Sequence, residues 1–408
     1  MSAAATAAPA DADAVLVVNA GSSSLKFALY PRSDGTPAGD ALHPAFASGQ
    51  IDGLRPGDDP ARFEAALQAL QRRVAEAAPR ARVVAVAHRI VHGGGEFREP
   101  VALDDAALAR LARFSPLAPL HQPHNLAGVA ALRRAFPELP QIGCFDTAFH
   151  ADLPAQEVRC ALPQALHDQG IRRYGFHGLS YQYLMRVLPA FSARAGGRVL
   201  MAHLGSGASL CAAQGGRSVA TTMGFSALDG LVMGSRCGAL DPGVVLHLWR
   251  EGWSLAQVET LLYRESGLLG VSGLSADLRE LRRAAADGHA GAQAAIALFT
   301  HRLRREAGAM VASLGGLDAL VCTGGIGEHD AAMRAALGQA LGFLGLAIDP
   351  AANAAATGDA IRPIHAPDSA VEVWVVPTDE GRVAAQAAWA WLALPASGKP
   401  LARRRPAP

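Results

Sequence analysis

A chain of 408 residues is long enough for two domains of about 150 to 200 residues each. Half of its residues are hydrophobic and 18% are charged, which excludes a disordered chain and allows a large core. The formal net charge of +1 excludes nucleic acid or an anionic membrane surface as the main partner.

The cysteines and the N-terminus indicate the compartment. The five cysteines lie far apart without a C-x-x-C pair, so we expect neither a disulfide framework nor structural zinc. The segment from Met1 to Asp13 has no Lys, Arg or apolar stretch, and no run of about 18 apolar residues follows, so neither a signal peptide nor a membrane span is predicted. These features predict a cytoplasmic protein.

Strand-like and helical segments alternate along the chain, which predicts an α/β fold. Apolar runs predict strands at Ala14–Asn19, Leu25–Tyr30, Val83–Ala87, Gln141–Phe145, Val199–Leu204, Asp318–Cys322 and Val371–Val376. Helical periodicity predicts helices at Pro60–Ala78, Asp104–Ala112, Ala292–Leu314 and Gly381–Leu392. The ends, residues 1–13 and 395–408, are rich in Ala, Pro and Arg and are predicted to be disordered.

One internal similarity suggests a duplicated domain. Val15–Leu25 reads VLVVNAGSSSL and Val199–Leu210 reads VLMAHLGSGASL, each an apolar strand, a Gly/Ser-rich turn and the start of a second strand. Such repetition indicates two related units. The alternative is coincidence in a chain rich in Ala, Gly and Ser.

Three Gly-rich turns that leave strands are suited to phosphate, because small residues let backbone N–H groups approach an anion. They are Gly21–Ser24, Gly205–Ser209 and Thr323–Glu328. Lys26, one of only two lysines, follows the first turn, and on a strand it would share a face with Ser24. Together the turns predict a nucleotide site.

Other common sites find no support. Neither a P-loop nor a G-x-G-x-x-G pattern is present, and no G-x-S-x-G elbow indicates a serine hydrolase. The pairs His88/His92 and His121/His124 lack an H-E-x-x-H context, so a histidine-held metal is not favoured.

Several charged or titratable residues stand in Gly-rich or strand-end settings, namely Arg89, Asp146, His121, His177 and Arg236. Residues at such positions commonly face a cleft, although capping or ion pairing would explain each of them equally well. Phosphoryl transfer needs positioning, Mg²⁺ and cations on the transferring group. A carboxylate acceptor is already ionised and needs arginines rather than a base, so the two isolated arginines favour a carboxylate.

From Val15 to Trp391 the chain resembles the acetate/propionate/butyrate kinase family. The matching segments are VNAGSSSLK (Val18–Lys26), HRIVHGG (His88–Gly94), FDTAFH (Phe145–His150), RRYGFHG (Arg172–Gly178), HLGSGAS (His203–Ser209), MGFSALDGLVMGSRCGALDP (Met223–Pro242) and TGGIGE (Thr323–Glu328).

The resemblance implies a duplicated actin-like, ribonuclease H-like α/β fold with the active site in the interdomain cleft, and a homodimer. It implies an N-terminal acceptor and phosphate domain at 14–150, completed by a helix at 381–394, and a nucleotide-binding and dimerisation domain at 151–380. The implied reaction is the reversible conversion of acetate and ATP to acetyl phosphate and ADP, with Mg²⁺, or alternatively Mn²⁺, as cofactor.

The resemblance also implies roles for individual residues. The catalytic residues are Arg89, Asp146, His177 and Arg236, with Arg89 on the substrate. The acceptor site adds Val91, Leu120, His121, Phe176 and Ala227, and Asn19 and Glu380 hold the metal. The nucleotide and its phosphates contact Ser22, Ser24, Lys26, His203, Leu204, Gly205, Ser206, Gly207, Asp277, Leu278, Arg279, Gly325, Ile326, Gly327, Glu328 and His329.

Three departures from the family pattern bear on the site. Ser206 replaces an Asn, the segment TDEG (Thr378–Gly381) replaces TNEE, and Ala227 replaces a Pro on the acceptor side. The last change leaves propionate as an alternative acceptor. Two rival functions are a sugar kinase or ATPase on the same fold, and a non-catalytic nucleotide-binding or filament protein.

Overall fold

The computed structural model describes residues 13–21, 24–32, 44–52, 60–77, 79, 81–119 and 121–395. The described residues divide into two compact units, one within residues 1–151 and 379–408 and one within residues 152–378. Asp379 and Glu380 thus belong to the first unit, because Glu380 begins a helix that packs on the first sheet. None of the described helices combines the length and apolar character needed to cross a membrane.

The described strands are β1 (Asp13–Ala20), β2 (Ser24–Pro31), β3 (Ala47–Asp52), β4 (Arg82–Ile90), β5 (Val101–Ala102), β6 (Gln141–Phe145), β7 (Arg198–Leu204), β8 (Ala208–Gln214), β9 (Arg217–Thr221), β10 (Ala319–Thr323), β11 (Arg362–Pro363) and β12 (Glu372–Val375).

The described helices are α1 (Pro60–Ala77), α2 (Asp105–Ala112), α3 (Gln122–Ala135), α4 (Ala155–Val158), α5 (Gln164–Asp168), α6 (Gly178–Val187), α7 (Pro242–Arg250), α8 (Leu255–Arg264), α9 (Gly267–Ser272), α10 (Leu278–Ala286), α11 (Ala290–Leu314), α12 (Gly324–His329), α13 (Ala331–Ala340), α14 (Pro350–Ala355) and α15 (Glu380–Ala393).

The two sheets have the same topology. The first has the strand order β3-β2-β1-β4-β6-β5 and the second β9-β8-β7-β10-β12-β11. In each, three antiparallel strands are followed by two parallel ones and a two-residue antiparallel edge strand. The α/β class and the duplication predicted from the repeated strand–turn–strand sequence are confirmed.

Each sheet is held by a core that the strand sequences dictate. Alternate residues of β1 and β2, including Leu16, Val18 and Phe27, pack with Leu70 of α1 and Leu132 of α3. The opposite face of the same sheet contacts α15. In the second unit β10 is buried at every residue, and the 25-residue helix α11 packs on β8.

All of the predicted strands and helices are present, with bounds that differ by at most three residues. One predicted turn differs in kind, since TGGIGE forms the short helix α12 directly after β10. The predicted disordered ends lie, apart from Asp13 and Pro395, outside the described residues.

Candidate functional site

In the first unit one face of the sheet gathers the predicted polar residues. Asn19 and Lys26 are register partners in the β1–β2 pair, so their side chains share a face. Arg89 aligns with Cys144, whose Sγ contacts the carbonyl oxygen of Ala384 in α15, so these residues face the helix. The N-terminus of α15 therefore meets the strand ends on this face.

Arg89 joins two carboxylates of this face. Its Nη2 lies 2.8 Å from Asp146 Oδ2 and its Nε 3.1 Å from Asp146 Oδ1, while its Nη1 lies 2.8 Å from Glu380 Oε2. Burial alone would lower the pKa of Arg89, but the charges of Asp146 and Glu380 more than offset it and raise that pKa above its ordinary value. The structure thus brings together three predicted residues and keeps the guanidinium charged.

The loop that follows β4 is fixed by side chains for which the sequence offered no motif. Asn125 Oδ1 accepts the Val91 N–H at 3.0 Å, and Asn125 Nδ2 donates to the Ala20 carbonyl at 2.7 Å. Gln122 accepts the His92 N–H and donates to the His92 carbonyl. Both amides lie on α3 and are buried, and Val91 between them is 8% exposed. These amides immobilise the backbone around the predicted acceptor residue Val91.

In the second unit the turn Gly205–Gly207 is closely covered. A Cβ atom added at Gly207 would lie 2.6 Å from Arg236 Nη2 and 3.2 Å from His177 Nε2. A side chain there would require the Arg236 guanidinium to move, so the backbone of the predicted phosphate turn lies directly against two of the predicted catalytic side chains.

His177 adopts a left-handed backbone with φ of 58°, the only non-glycine residue among those described to do so. It directly precedes α6, and its ring stacks on that of His203 with centroids 4.2 Å apart. Such a conformation costs free energy that the surroundings must offset, and it is common at functional sites.

Arg236 is a largely enclosed cation. Its Nη1 donates to the Ala227 carbonyl at 2.5 Å, and it forms no ion pair with any residue that the structure describes. Burial lowers the pKa of Arg236 to about 10, which leaves it charged at neutral pH. A desolvated cation without a carboxylate is suited to an anionic ligand.

Hydrogen bonds from Glu328 and from buried Arg334 fix the TGGIGE segment. Glu328 Oε1 accepts the N–H groups of Gly324 at 2.8 Å and Thr378 at 3.1 Å. Arg334, 1% exposed, donates to the carbonyls of Gly327 and Glu328. The Glu328 carboxylate is thus used in its own helix, whereas the side chain of the next residue, His329, forms no hydrogen bond with any residue that the structure describes.

Several other predicted residues fall into three groups. Asp277 caps α10 and pairs with exposed Arg279, which holds the pKa of Asp277 below its ordinary value. Ser24 begins β2, and Lys26 on the same strand is exposed. Ser22 and Leu120 lie outside the described residues.

Two units with one shared topology, each carrying polar residues at its strand ends, define a duplicated α/β protein of the actin-like class. A family model described as the acetokinase family matches residues 14–386. The chain belongs to this family.

Individual relatives agree. The chain is 50% identical to an acetate kinase of Rhodopseudomonas palustris, covering 92% of this chain and 98% of that one, and 45% identical to an acetate kinase of Methylocella silvestris, covering 90% and 95%. It resembles the crystal structure of Porphyromonas gingivalis acetate kinase with a TM-score of 0.82 at 35% identity, covering 93% and 100% of the chains. It also resembles the crystal structure of a propionate kinase from Francisella tularensis, with a TM-score of 0.79 at 34% identity, covering 92% of this chain and 98% of that one.

Proposed function

We propose that the chain transfers the γ-phosphoryl group of ATP to the carboxylate of acetate, reversibly forming acetyl phosphate and ADP. The observation that carries this proposal is the Arg236 guanidinium, enclosed beside His177 and Gly207 and lacking a carboxylate among the described residues. An incoming phosphoryl group would supply the missing negative charge. The names of the relatives support acetate as the acceptor.

In this mechanism the protein positions the two substrates and neutralises the charge of the transferring phosphoryl group, and it forms no covalent bond with either substrate. Acetate is already ionised, so no general base is required and its oxygen attacks phosphorus directly, in line with the leaving ADP oxygen. Arg236 and His177 donate to the equatorial oxygens of the transferring group, and Arg89 binds the acetate carboxylate. Asp146, which is 1% exposed, orients Arg89 through two hydrogen bonds.

The first unit offers donors that suit Mg²⁺. Asn19 and Glu380 supply an amide oxygen and a carboxylate near the end of β1 and the start of α15, and Mg²⁺ prefers oxygen ligands. No group of three or more His, Cys, Asp or Glu suited to a metal occurs among the described residues. When bound, the ion would neutralise phosphate charge.

A hydroxamate assay for acyl phosphate, run with ATP and Mg²⁺ on acetate, propionate and butyrate, tests the proposal. We expect acetyl hydroxamate in wild type and its near loss in Arg236→Ala. ADP release in parallel reactions with glucose, or without acceptor, separates the rivals. If glucose stimulates ADP release and no acyl phosphate forms, the chain is a sugar kinase. If ADP is released equally without any acceptor, the chain is an ATPase.

Propionate is a second candidate acceptor because of Ala227. A proline ring is common at this position by resemblance, and here a methyl group, 6% exposed, takes its place. A smaller wall accommodates one more methylene, so we propose that propionate is also used.

We also propose a homodimer formed through the second unit. Helix α7 has no buried residue, and it exposes Val244, Leu246 and Trp249 by 40%, 47% and 50%. Apolar surface of this kind is typical of a protein interface. A cytoplasmic location, without nucleic-acid or membrane partners, stays a prediction from charge and cysteine content.

A further inference from the structure

Two imidazole rings in the second unit have matching surroundings. His177 Nδ1 lies 2.8 Å from Ser209 Oγ, and His203 Nδ1 lies 2.9 Å from Ser180 Oγ. Both serines are fully buried. The Nε2 atoms of the stacked rings both approach the Gly205–Gly207 turn, at 3.2 Å and 4.0 Å from the Cβ positions of its glycines. Each ring therefore meets a hydroxyl at Nδ1 and presents Nε2 to the phosphate turn.

A second hydroxyl stands behind each serine. Tyr181 Oη lies 2.5 Å from Ser209 Oγ, and Thr378 Oγ1 lies 2.9 Å from Ser180 Oγ. Ser180 and Tyr181 both come from the first turn of α6, directly after His177. The unusual backbone of His177 thus lets its ring and these two side chains enter the same cluster.

The direction of the hydrogen bonds follows from which groups can only donate. The backbone N–H of His203 is hydrogen-bonded to the Tyr181 oxygen, and an N–H can only donate. Burial raises the pKa of Tyr181 well above its ordinary value, so the phenol keeps its proton. A phenol is a stronger donor than an aliphatic hydroxyl, so Tyr181 donates to Ser209. The single Ser209 proton is then directed to His177 Nδ1.

We propose that Ser209 and Tyr181 are positioning residues that hold His177 as the neutral tautomer with its proton on Nε2. The proton on one ring nitrogen is set by the hydrogen bond that the other makes. His177 would then present an N–H donor to the transferring phosphoryl group at every turnover, with no tautomer change. This inference rests on the proposed function for its catalytic meaning, but the tautomer itself is a property of the protein alone.

The decisive experiment is NMR on the full chain labelled with ¹⁵N-histidine, without substrate. Loss of a signal in His177→Gln assigns His177 among the 14 histidines. We expect wild-type His177 to carry its proton on Nε2, and Ser209→Ala to shift the ring toward the Nδ1–H form. A wild-type ring protonated on Nδ1 would overturn the inference whether or not any variant folds, and whether or not the chain is a kinase.

Kinetics give the second readout. Ser209→Ala should lower kcat about 10²-fold while changing KM for ATP less than about threefold, because a donor used in the transition state is misdirected. Ser209→Thr, which keeps the hydroxyl, should recover most of the rate. The matched control is Ser218→Ala, a buried serine of β9 that contacts Cys211, and it should leave kcat unchanged. If kcat falls equally in Ser209→Ala and Ser209→Thr and the His177 tautomer does not change, Ser209 acts through packing alone and the inference is wrong.

Discussion

We propose that Arg236, which forms no ion pair with any described residue, pairs with the negative charge of the substrate. Replacing it with Ala removes a cation from the developing phosphoryl charge, so we expect kcat to fall by about 10³-fold. KM for ATP should change far less, because the family resemblance assigns nucleotide contacts to other residues. Steady-state kinetics on Arg236→Ala measure both values. Arg217→Ala, an exposed arginine at the start of β9, is the control and should keep wild-type kcat. A loss of tenfold or less in Arg236→Ala would contradict the assigned role.

We expect His88 to affect stability rather than catalysis. It is 3% exposed and lies 2.7 Å from Gln141 Oε1, and burial lowers the pKa of His88 from 6.5 to about 4. Between these values the unfolded chain binds a proton that the folded chain does not, so stability falls as pH decreases. We expect the free energy of unfolding to drop by about 3 kcal/mol between pH 6.5 and 4 from this residue.

Denaturant titrations at pH 7 and pH 4.5 check this expectation. His88→Gln keeps a donor for Gln141 but cannot take a proton, so its stability should depend less on pH. His301→Gln, at an exposed position of α11, should retain the wild-type dependence. Parallel pH profiles for wild type and His88→Gln would exclude His88 as the cause.

We propose that Ala227 sets the size of the acceptor at the scale of one methylene. A methylene that fits contributes about 0.8 kcal/mol, roughly fourfold in kcat/KM, so propionate should be used within about tenfold of acetate. Ala227→Pro should shift the ratio of kcat/KM values toward acetate. A strong acetate preference in wild type that the substitution does not move would mean that Phe225 or Leu228 already fills the space.

At the scale of elements, the N-terminus of α15 is packed against β2. The Tyr30 hydroxyl donates to Asp379 Oδ1 at 2.7 Å, and a Cβ added at Gly381 would overlap that hydroxyl and lie 2.9 Å from Tyr30 Cζ. Gly381, where the family pattern has Glu, therefore makes room for Tyr30. Glu380 lies between Asp379 and Gly381 in the sequence. The packing of Tyr30 against both of them therefore also positions the Glu380 carboxylate, the proposed metal ligand.

Gly381→Ala should overpack this contact, destabilise the protein by about 1 to 3 kcal/mol and raise the Mg²⁺ concentration for half-maximal rate several-fold. Thermal unfolding and Mg²⁺ titrations of activity measure the two effects. Gly308→Ala, in α11 with open space around the added Cβ, is the matched control and should be neutral or stabilising. An unchanged Mg²⁺ requirement in a clearly destabilised Gly381→Ala would separate α15 from the metal.

The central elements could be predicted from the sequence, while the edges and the α12 segment could not. Strands such as β6 and β10 are apolar throughout, because both of their faces are covered. The strands β5 and β11 have two residues each and exist only through pairing with a neighbour, so no local pattern marks them. Likewise TGGIGE is predicted to be a turn, and its helical form depends on contacts such as the return of the Glu328 carboxylate to the Gly324 N–H, which no local pattern marks.

The site residues that belong to sequence motifs could be predicted. The residues that reach the site only through long-range contacts could not. Arg89, Asp146 and Glu380 are each marked by strand ends or by resemblance, and their ion pairs follow from the fold. Gln122 and Asn125 carry no such signal, since their role depends on α3 lying beside the ends of β1 and β4. The only hint in the sequence is that these two amide residues follow the HRIVHGG segment by about 30 positions.

At the scale of the whole molecule, the duplication explains why the proposed site residues lie at equivalent places in the two units. The turn from β1 to β2 in the first unit and the turn from β7 to β8 in the second occupy equivalent places in the two sheets. Arg89 lies one residue before the end of β4, and TGGIGE begins at Thr323, the last residue of β10, so the two lie at equivalent strands. One ancestral arrangement of strand ends thus accounts for both groups of polar residues, with different side chains in each.

The proposed homodimer is a property of the whole molecule and depends on the exposed face of α7. Burying Trp249 and Leu246 against a second copy would remove apolar surface from water at about 25 cal/mol per Å². We expect the wild-type protein to sediment at twice the chain mass of 42.2 kDa. Trp249→Glu should yield monomers, because a carboxylate would be buried without a partner. The control Phe343→Glu changes an apolar residue that is 75% exposed elsewhere in the same unit and should remain dimeric. A monomeric wild type, or a dimer that survives Trp249→Glu, would place the contact elsewhere or remove it.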